Sequence, residues 1–241
     1  MLIGDERLPI YLRLHDELGA RIASQEWRAG EAIPSELELA QAYNIAVGTL
    51  RKTIDLLVAE GQLERIQGKG TYVRRPSFES SLFRFFRFQN QAGERRIPQG
   101  RVLQVETAPC PSTVASSLRL PPGAPAIHLD RLRLMDGTPL LVESIWLPMD
   151  RFQALAGLQP EQFGDLLYPL YEERCGQIVA SAEETLTAEA VGEEHARLLG
   201  IKPGAPVMVI ERLAFSYDRQ PIEWRRSRGP ADQFLYTATI R

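Results

Sequence analysis

Two arginines and a glutamate stand inside apolar stretches in the second half of the chain. Arg131 and Arg133 lie two residues apart in IHLDRLRL, and Glu143 alternates with apolar residues in LLVESIWL. Residues two apart on a strand point to the same face of a sheet, so the two guanidinium groups are expected together. Buried charges need partners. The pattern therefore predicts either an ion pair across the MDGT turn or a site for the carboxylate or phosphate of a ligand.

A second set of polar residues, in the first third of the chain, has the composition of a DNA-binding surface. Thr49, Arg51 and Lys52 stand in YNIAVGTLRKTIDLL, which is followed by a segment with two glycines, RIQGKGTYV. Cationic side chains pair with phosphates. The net charge of −3 argues weakly against a nucleic-acid partner, yet residues 47–75 carry six basic and three acidic side chains. The alternative, a helix that serves only the core, does not account for the polar run beside the glycines.

The elements that position this set follow from periodicity. Apolar residues at helical spacing predict a first helix, marked by Ile10, Leu14, Leu18 and Ile22. Ser35 and, three residues later, Glu38 have the spacing of a capping box and predict the start of a second helix. A third helix ends at Gly61, and the alternation in QLERIQGKGTYVRR predicts a two-stranded hairpin. Three helices followed by a hairpin are the order of a winged helix-turn-helix.

From about residue 76 the chain changes to short alternating strands separated by proline and glycine turns. Seven strands are predicted, the last over residues 233–241, with helices over residues 151–157, 161–176 and 188–200. The segment PPGAPAIHLDRL is echoed by KPGAPVMVIERL, which predicts two equivalent hairpins in one sheet. We therefore expect an α+β protein with a DNA-binding domain over residues 1–75 and an antiparallel-sheet domain over residues 76–241, of which residues 76–90 form the junction.

Composition excludes several other classes of protein. The 241 residues contain no apolar run long enough for a membrane span, and the start MLIGDERLPI lacks the basic-then-apolar order of a signal peptide. We therefore expect a cytoplasmic protein without a membrane partner. Cys110 and Cys175 share no ligand spacing with His15, His128 or His195, so no disulfide framework, metal site or cofactor is predicted.

Together these motifs resemble a known family. PSELELA, GTLRKTIDLLVAEG and RIQGKGTYV resemble the GntR family of bacterial transcription regulators, in its HutC-type branch. RLRLMDGTPLLVESIWLP and LGIKPGAPVMVIERLAFSYDRQPIEWRRS resemble the UTRA effector-binding domain, whose fold is like that of chorismate lyase. The resemblance implies a homodimeric repressor that a small anionic or zwitterionic metabolite releases from double-stranded, palindromic operator DNA.

For the first half, the resemblance implies that the third helix enters the major groove and that the hairpin wing touches the DNA backbone. The implied contacts are made by Ser35, Thr49, Arg51, Lys52, Gln67, Gly68, Lys69, Gly70 and Thr71. The chain departs from the family pattern at Leu37, where arginine is common, and at Ala46 and Val47, where a Ser-Arg pair is common. We therefore expect the remaining cations and the wing to carry more of the DNA affinity.

For the second half, the resemblance implies effector contacts from Arg131, Arg133, Glu143, Tyr168 and Glu223. In relatives, the arginine pair binds a phosphate and the two glutamates bind a sugar. Responders to amino-sugar phosphates usually have a serine two residues before the matching tyrosine, and this chain has Leu166. An organic acid or an amino-acid-like zwitterion therefore fits the predicted residues at least as well as a phosphosugar.

Two other functions remain open at this stage. The likeness to chorismate lyase leaves an enzyme as one alternative, but His128 and His195 stand isolated and no glycine-rich phosphate loop is present, so no catalytic residues are predicted. The other alternative is a DNA-binding protein without a ligand, although such a protein would not need a strand domain twice the size of its DNA-binding domain. A small molecule that changes DNA affinity would separate the three functions.

Overall fold

The computed structural model describes residues 8–75 and 97–234. The chain divides into two units, one built mainly from the residues before 77 and one mainly from those after it, and each is described by itself. In the described part of the chain, no helix is long and apolar enough to cross a membrane. The predicted junction and most of the last predicted strand lie outside the described residues, so the boundary at residue 75 stays a prediction.

The first unit consists of three helices and a hairpin. Its elements are α1 (Ile10–Ala23), α2 (Glu36–Tyr43), α3 (Val47–Ala59), β1 (Leu63–Ile66) and β2 (Gly70–Val73). α1 packs on α3 through the apolar positions that recur at helical spacing, which are Leu14, Leu18, Ile22, Leu50, Ile54 and Leu57. β1 and β2 pair antiparallel. The prediction of a winged helix-turn-helix is confirmed.

The starts of α2 and α3 are capped differently. Ser35 Oγ accepts a hydrogen bond from Glu38 N at 3.3 Å, and the Glu38 carboxylate accepts one from Ser35 N at 2.8 Å. The predicted capping box is therefore present. α3 follows Ala46, which gives no side-chain cap. The first turn of α3 is consequently bare of polar side chains up to Thr49.

The second unit is built on one sheet. Its elements, in chain order, are β3 (Gln99–Pro109), α4 (Ser112–Ser117), β4 (Pro125–Met135), β5 (Thr138–Pro148), α5 (Met149–Phe152), α6 (Leu167–Cys175), β6 (Ser181–Ala190), α7 (Glu193–Leu199), β7 (Pro206–Phe215) and β8 (Pro221–Pro230). The strand order across the described sheet is β3-β4-β5-β8-β7-β6. β4 pairs antiparallel with β3 and with β5, and β5 pairs antiparallel with β8. The α+β fold class is confirmed.

The internal sequence repeat corresponds to a structural repeat. Each half of the sheet is a strand, a short helix and a hairpin, given by β3-α4-β4-β5 and by β6-α7-β7-β8. The halves meet where β5 pairs with β8, with Trp146 opposite Trp224. The two hairpins predicted from the repeated segments therefore hold equivalent positions in one sheet.

The two faces of the sheet are covered by different helices. α5 and α6 pack on the face that carries Ile127, Leu129, Ile145 and Leu147. α7 packs on the opposite face, against Leu132, Leu134 and Val142, and α4 packs there against Trp146. Alternation along the strands places Arg131, Arg133 and Glu143 on the face that α6 covers.

Two helices are shorter than the sequence predicts. The helix predicted over residues 161–176 occupies only Leu167–Cys175, since the chain turns at Gly164, whose φ is +62°. The helix predicted over residues 188–200 begins at Glu193, because residues 188–190 continue β6. The first correction matters for function, because it leaves residues 164–166 as a loop beside the arginine pair.

Candidate functional sites

The third helix serves both the core and the surface of the first unit. Its apolar residues are buried, whereas Arg51 and Lys52 are exposed. Thr53 is buried, and its hydroxyl donates to Tyr11 O at 3.1 Å. Of the three polar residues that follow Leu50, Thr53 therefore belongs to the core, and Arg51 and Lys52 belong to the surface.

Arg51 belongs to a group of surface charges that joins α2, α3 and β1, of which Glu36 is half-buried and the others are exposed. We call this group the surface network, and its members are Glu36, Arg51, Asp55 and Arg65. Arg51 Nε donates to Glu36 Oε2 at 2.9 Å. Arg65 donates to Glu36 Oε1 at 3.2 Å and to Asp55 Oδ1 at 2.5 Å. Glu36 bonds Arg51 through Nε, and an arginine carries further donors on its two Nη groups.

The other predicted DNA contacts lie on α3 and on the wing. Lys52 Nζ stands 3.7 Å from the centroid of the Tyr11 ring, so a phosphate would compete with a cation–π contact for this ammonium. Four residues at the tip of the wing are exposed, namely Gln67, Gly68, Lys69 and Gly70. The φ angles of +74° and +121° at the two glycines explain why the tip needs glycine. Thr71, which follows, is half-buried.

Several charged side chains are buried side by side on the sheet face that α6 covers. We call them the buried cluster, and they are Arg131, Arg133, Glu143, Glu223 and Arg225. Arg131 lies opposite Glu143 in the pairing of β4 with β5, and its Nε is 3.5 Å from Glu143 Oε2. Arg225 Nη1 is 3.5 Å from Glu143 Oε1, and Arg225 Nη2 donates to Glu223 Oε2 at 2.7 Å. One of the two predicted readings, an ion pair across the hairpin, is therefore present for Arg131.

Two tyrosines of α6 donate to Glu223. Tyr168 OH donates to Oε1 at 3.1 Å, and Tyr171 OH donates to Oε2 at 2.8 Å. Tyr168 OH also accepts from Arg212 Nη1 at 3.1 Å, and Arg212 Nε donates to Glu184 at 2.8 Å. Burial and the nearby Glu223 carboxylate raise the pKa of Tyr171 well above its usual value, so this hydroxyl stays a donor at neutral pH. The structure thus places Tyr168 and Glu223 beside Arg225, which Glu143 connects to the predicted Arg131.

The loop before α6 runs over the two predicted arginines. We call residues 164–166 the strap. Asp165 O accepts from Arg131 Nη2 at 3.0 Å and from Arg133 Nη1 at 2.5 Å, while Asp165 Oδ1 accepts from Gly100 N at 2.8 Å. A Cβ atom at Gly100 would lie 3.0 Å from both Arg131 Nη2 and Gly164 O, so β3 can approach this closely only through glycine. Asp165 is exposed, and the guanidinium groups beneath it are buried.

Arg133 has more donors than the described residues have acceptors. Its Nε and Nη2 are buried without a hydrogen-bond partner, as are Arg131 Nε and Glu143 Oε2. Arg133 is only 1% exposed, and no carboxylate within residues 8–75 or 97–234 lies at ion-pair distance from it. A buried cation without a counter-charge is costly. Arg133 is therefore the position where an anion would be stabilised strongly.

The electrostatics of the buried cluster keep its central groups ionised. Burial alone would raise the pKa of Glu143, but Arg225 and Arg131 outweigh it, and the pKa is lowered. Burial alone would lower the pKa of Arg225, but Glu223 and Glu143 outweigh it, and the pKa is raised well above its usual value. Glu143 is consequently a carboxylate and Arg225 a cation at neutral pH.

Comparison with known proteins covers both units. Residues 10–73 match the family described as bacterial regulatory proteins, gntR family, and residues 93–234, more than half of the chain, match the UTRA domain. The chain belongs to the GntR family. It is 30% identical over 214 residues to an Escherichia coli (strain K12) protein named "Probable fructoselysine utilization operon transcriptional repressor", covering 88% of this chain and 87% of that protein.

Two further comparisons agree with this family. The chain is 28% identical over 232 residues to the HTH-type transcriptional repressor NagR of Bacillus subtilis (strain 168), covering 95% of this chain and 93% of that protein. PhnF from Mycobacterium smegmatis, at 22% identity, shares the fold with a TM-score of 0.54 over 97% of this chain and 99% of that chain. This GntR-family member is thus a DNA-binding transcription regulator with a UTRA domain, consistent with the HutC-type branch, and not an enzyme.

One arrangement in the UTRA unit of this GntR-family member resembles a catalytic triad. On the sheet face opposite the buried cluster, His128 Nε2 is 2.8 Å from Ser144 Oγ, and His128 Nδ1 is 3.1 Å from Glu106 Oε1. Ser144, however, lies in the middle of β5 and is paired with β4 on one side and β8 on the other. A nucleophile needs oxyanion donors beside it, and a backbone engaged in a sheet does not supply them. Glu106, His128 and Ser144 therefore form a hydrogen-bonded group on the sheet surface and not a catalytic triad.

Several residues at the two sites are absent from the sequence-based prediction. They are Glu36 and Arg65 in the surface network and Tyr171, Arg212, Arg225 and Ser227 around the buried cluster. For two of them the sequence contains a pattern that could have identified them. Arg225 stands two residues after Glu223, the spacing that predicted the Arg131 and Arg133 pair, and Tyr171 stands three residues after Tyr168, on the same helix face.

Proposed function

We propose that this protein is a homodimeric repressor that leaves a palindromic operator when its UTRA unit binds a small anionic or zwitterionic metabolite. The names of two relatives, each a transcriptional repressor, support the sign of regulation. The buried cluster supports the chemistry of the ligand. Operator DNA and metabolites meet in the cytoplasm, which is the location we propose for both events.

The observation that carries the proposal is the position of Arg133. Its guanidinium is buried, two of its nitrogens have no partner among the described residues, and its Nη1 donates to a backbone carbonyl. Arg131 lies beside it and shares that carbonyl. Two guanidinium groups in this arrangement match the oxygens of a carboxylate or phosphate. We therefore assign the anionic group of the effector to this pair.

The strap offers a way for binding to be transmitted. Asp165 O now occupies donors of both arginines, so an incoming anion would replace this carbonyl. The strap leads directly into α6, because Leu166 is the residue before its first turn, and α6 carries Tyr168 and Tyr171. An anion that moves the strap would shift the start of α6. The effector would then bind two conformations with different affinity, which is what allosteric control requires.

On the DNA side, two protomers would place their α3 helices in the two half-sites of a palindrome. Thr49, Arg51 and Lys52 would contact the major groove and its phosphates, while the wing tip contacts the backbone. Because α3 begins without polar side chains at Ala46 and Val47, the wing would carry a larger share of the affinity. The effector-bound conformation would hold the helices at a spacing that no longer matches the half-sites.

The experiment that tests the proposal has two steps. An operator is selected from random-sequence duplexes with the purified protein, and small acids, amino acids and sugar phosphates are screened for ligands that raise the melting temperature. Operator affinity is then measured with and without each ligand. We expect such a ligand to lower operator affinity by roughly 5–150-fold. A ligand that raises the melting temperature but leaves operator affinity unchanged would favour a ligand-independent DNA-binding protein instead.

Two variants serve as matched controls for this experiment. Arg131→Ala should retain operator binding and lose the response to the ligand, because it removes one member of the anion pair. Arg51→Ala should show the reverse behaviour, with ligand binding intact and operator binding weakened. If both variants lost the same property, the division of roles between the two units would be wrong.

A further inference from the structure

The charges around the proposed effector site restrict the class of effector. The buried cluster holds three arginines, Arg131, Arg133 and Arg225, and two glutamates, Glu143 and Glu223. Beside it, Arg212 is paired with Glu184, while the Asp165 carboxylate is exposed and accepts from Gly100 N. Three buried cations against two buried carboxylates leave one positive charge without a buried counter-charge. An effector with net negative charge compensates it. A zwitterion has no net charge and leaves the positive charge uncompensated. Its cationic group would also need a carboxylate that is free to pair with it.

Neither carboxylate of the buried cluster is available to a cation, because of Arg225. This residue donates to Glu223 at 2.7 Å and lies 3.5 Å from Glu143. Glu223 also accepts from both tyrosine hydroxyls of α6, so each of its oxygens is already bonded within the protein. An ammonium group could reach Glu223 only by displacing Arg225 or a tyrosine. Displacing Arg225 would leave its buried charge without a partner, which is costly.

Glu143 has an unused acceptor for a neutral donor instead. Its Oε2 has no hydrogen-bond donor among the described residues, while its charge is shared by Arg131 and Arg225, each 3.5 Å away. A hydroxyl group would satisfy this oxygen without adding charge. An ammonium group at the same place would lie between two arginines, and like charges at close range repel.

We propose that the effector is a hydroxylated anion without a cationic group, and that Arg225 is the residue that enforces this choice. The proposal rests on the proposed function and deepens it. The anionic group lies against Arg131 and Arg133, and a hydroxyl donates to Glu143 Oε2. Amino acids and other zwitterions, which the sequence admits as effectors, are rejected because Arg225 already serves as the cation for both carboxylates.

The test uses pairs of probes that differ only at one end. Hydroxyethyl phosphate and aminoethyl phosphate carry the same anion and differ by a hydroxyl and an ammonium group, and gamma-hydroxybutyrate and gamma-aminobutyrate form the corresponding carboxylate pair. Binding to the full-length protein is measured by thermal shift and titration calorimetry. We expect the wild type to bind the hydroxyl member of at least one pair about tenfold more tightly or better, in line with the value of a hydrogen bond to a charged group.

Three variants sharpen the result. Arg225→Met removes the cation that the two carboxylates share and should shift the preference toward the amino member by about ten- to a hundredfold. Arg225→Lys keeps the positive charge and should retain the preference for the hydroxyl member. Arg133→Met should weaken the binding of both members of a pair equally, because they share the anionic end. If Arg225→Met does not fold, the preference of the wild type alone decides.

Several outcomes would overturn the inference. They are a wild type that binds the amino members as tightly as the hydroxyl members, a wild type that binds none of the four probes up to tens of millimolar, and an Arg133→Met variant that binds as the wild type does. None of these outcomes involves DNA. The proposed function fails separately, when a ligand that binds with the expected preference leaves operator affinity unchanged.

Discussion

The surface network and the buried cluster contain the same kinds of charged groups in opposite surroundings. In the surface network the side chains of Arg51 and Arg65 are 61% and 41% exposed. In the buried cluster those of Arg131 and Glu143 are 2% and 0% exposed. Exposed pairs contribute little to stability because water and salt screen them, whereas a buried charge that loses its partner costs several kcal/mol.

This difference suits the two partners that we propose. DNA is a large polyanion that reaches exposed side chains, and Arg51 can exchange its contact with Glu36 for a contact with DNA at little cost. A small effector must instead complement charges that the protein has already fixed among themselves. The first unit therefore presents exchangeable charges, and the second unit presents a fixed arrangement that selects its ligand.

The largest expected effect follows from removing a charge from the buried cluster. Glu143→Gln leaves Arg131 and Arg225 without their shared carboxylate and should lower the free energy of unfolding of the second unit by about 3–5 kcal/mol. Urea unfolding followed by tryptophan fluorescence measures this, since Trp146 and Trp224 lie in that unit. The matched change in the surface network is Asp55→Asn. If Glu143→Gln cost as little as Asp55→Asn, the contrast between the two regions would be wrong.

The next effect concerns operator binding rather than stability. Arg51→Ala should lower operator affinity by about 1–3 kcal/mol, because it removes donors that read a base edge. Fluorescence anisotropy with labelled duplexes measures the affinity, and the melting temperature should stay close to that of the wild type. Lys52→Ala should weaken specific and non-specific duplexes alike and reduce the salt dependence, as expected for a phosphate contact. An equal loss on both kinds of duplex for Arg51→Ala would mean that Arg51 reads no bases.

A third effect is the acid sensitivity of the second unit. The pKa of Glu143 is lowered in the folded state, so its contribution to stability is complete above its unfolded pKa of about 4.3 and is lost as pH falls through the folded pKa. The slope from one such group is at most about 1.4 kcal/mol per pH unit. Urea unfolding of this unit between neutral pH and strongly acidic pH should show a shallower slope for Glu143→Gln. Identical slopes would show that Glu143 does not titrate in this range.

The smallest effect belongs to the surface network. Glu36→Gln releases Arg51 and Arg65, yet it should change the free energy of unfolding of the first unit by less than about 1 kcal/mol, since all the partners are exposed to water. High salt should reduce even this difference. A loss as large as that expected for Glu143→Gln, or one that persists at high salt, would show that Glu36 organises the unit and does not only hold Arg51.

Much of the fold can be predicted from the sequence because it depends on local patterns. The capping box at Ser35 and Glu38, the inward face of α3 and the duplicated hairpins each follow from spacing within a few residues or from a repeated segment. Helix starts are less predictable. The start of α6 depends on the turn at Gly164, and the start of α7 depends on how far β6 continues, which is decided by pairing with another strand.

The candidate site is predictable only in part, for a similar reason. Alternation along one strand places Arg131 with Arg133, but the contact of Glu143 with Arg225 requires β5 to pair with β8, far away in the sequence. The contact between the strap and the arginines uses the backbone carbonyl of Asp165, and a backbone group leaves no mark in a sequence. Sequence patterns therefore identify the charges, while strand order determines their partners.

The most direct test of the account is reciprocal binding on one protein. The affinity of the selected operator is measured with and without a saturating ligand, and the affinity of that ligand is measured with and without the operator. We predict that both affinities fall by the same factor, roughly 5–150-fold, and that neither changes in Arg131→Ala. A wild-type protein whose operator affinity is the same with and without the bound ligand would contradict the account.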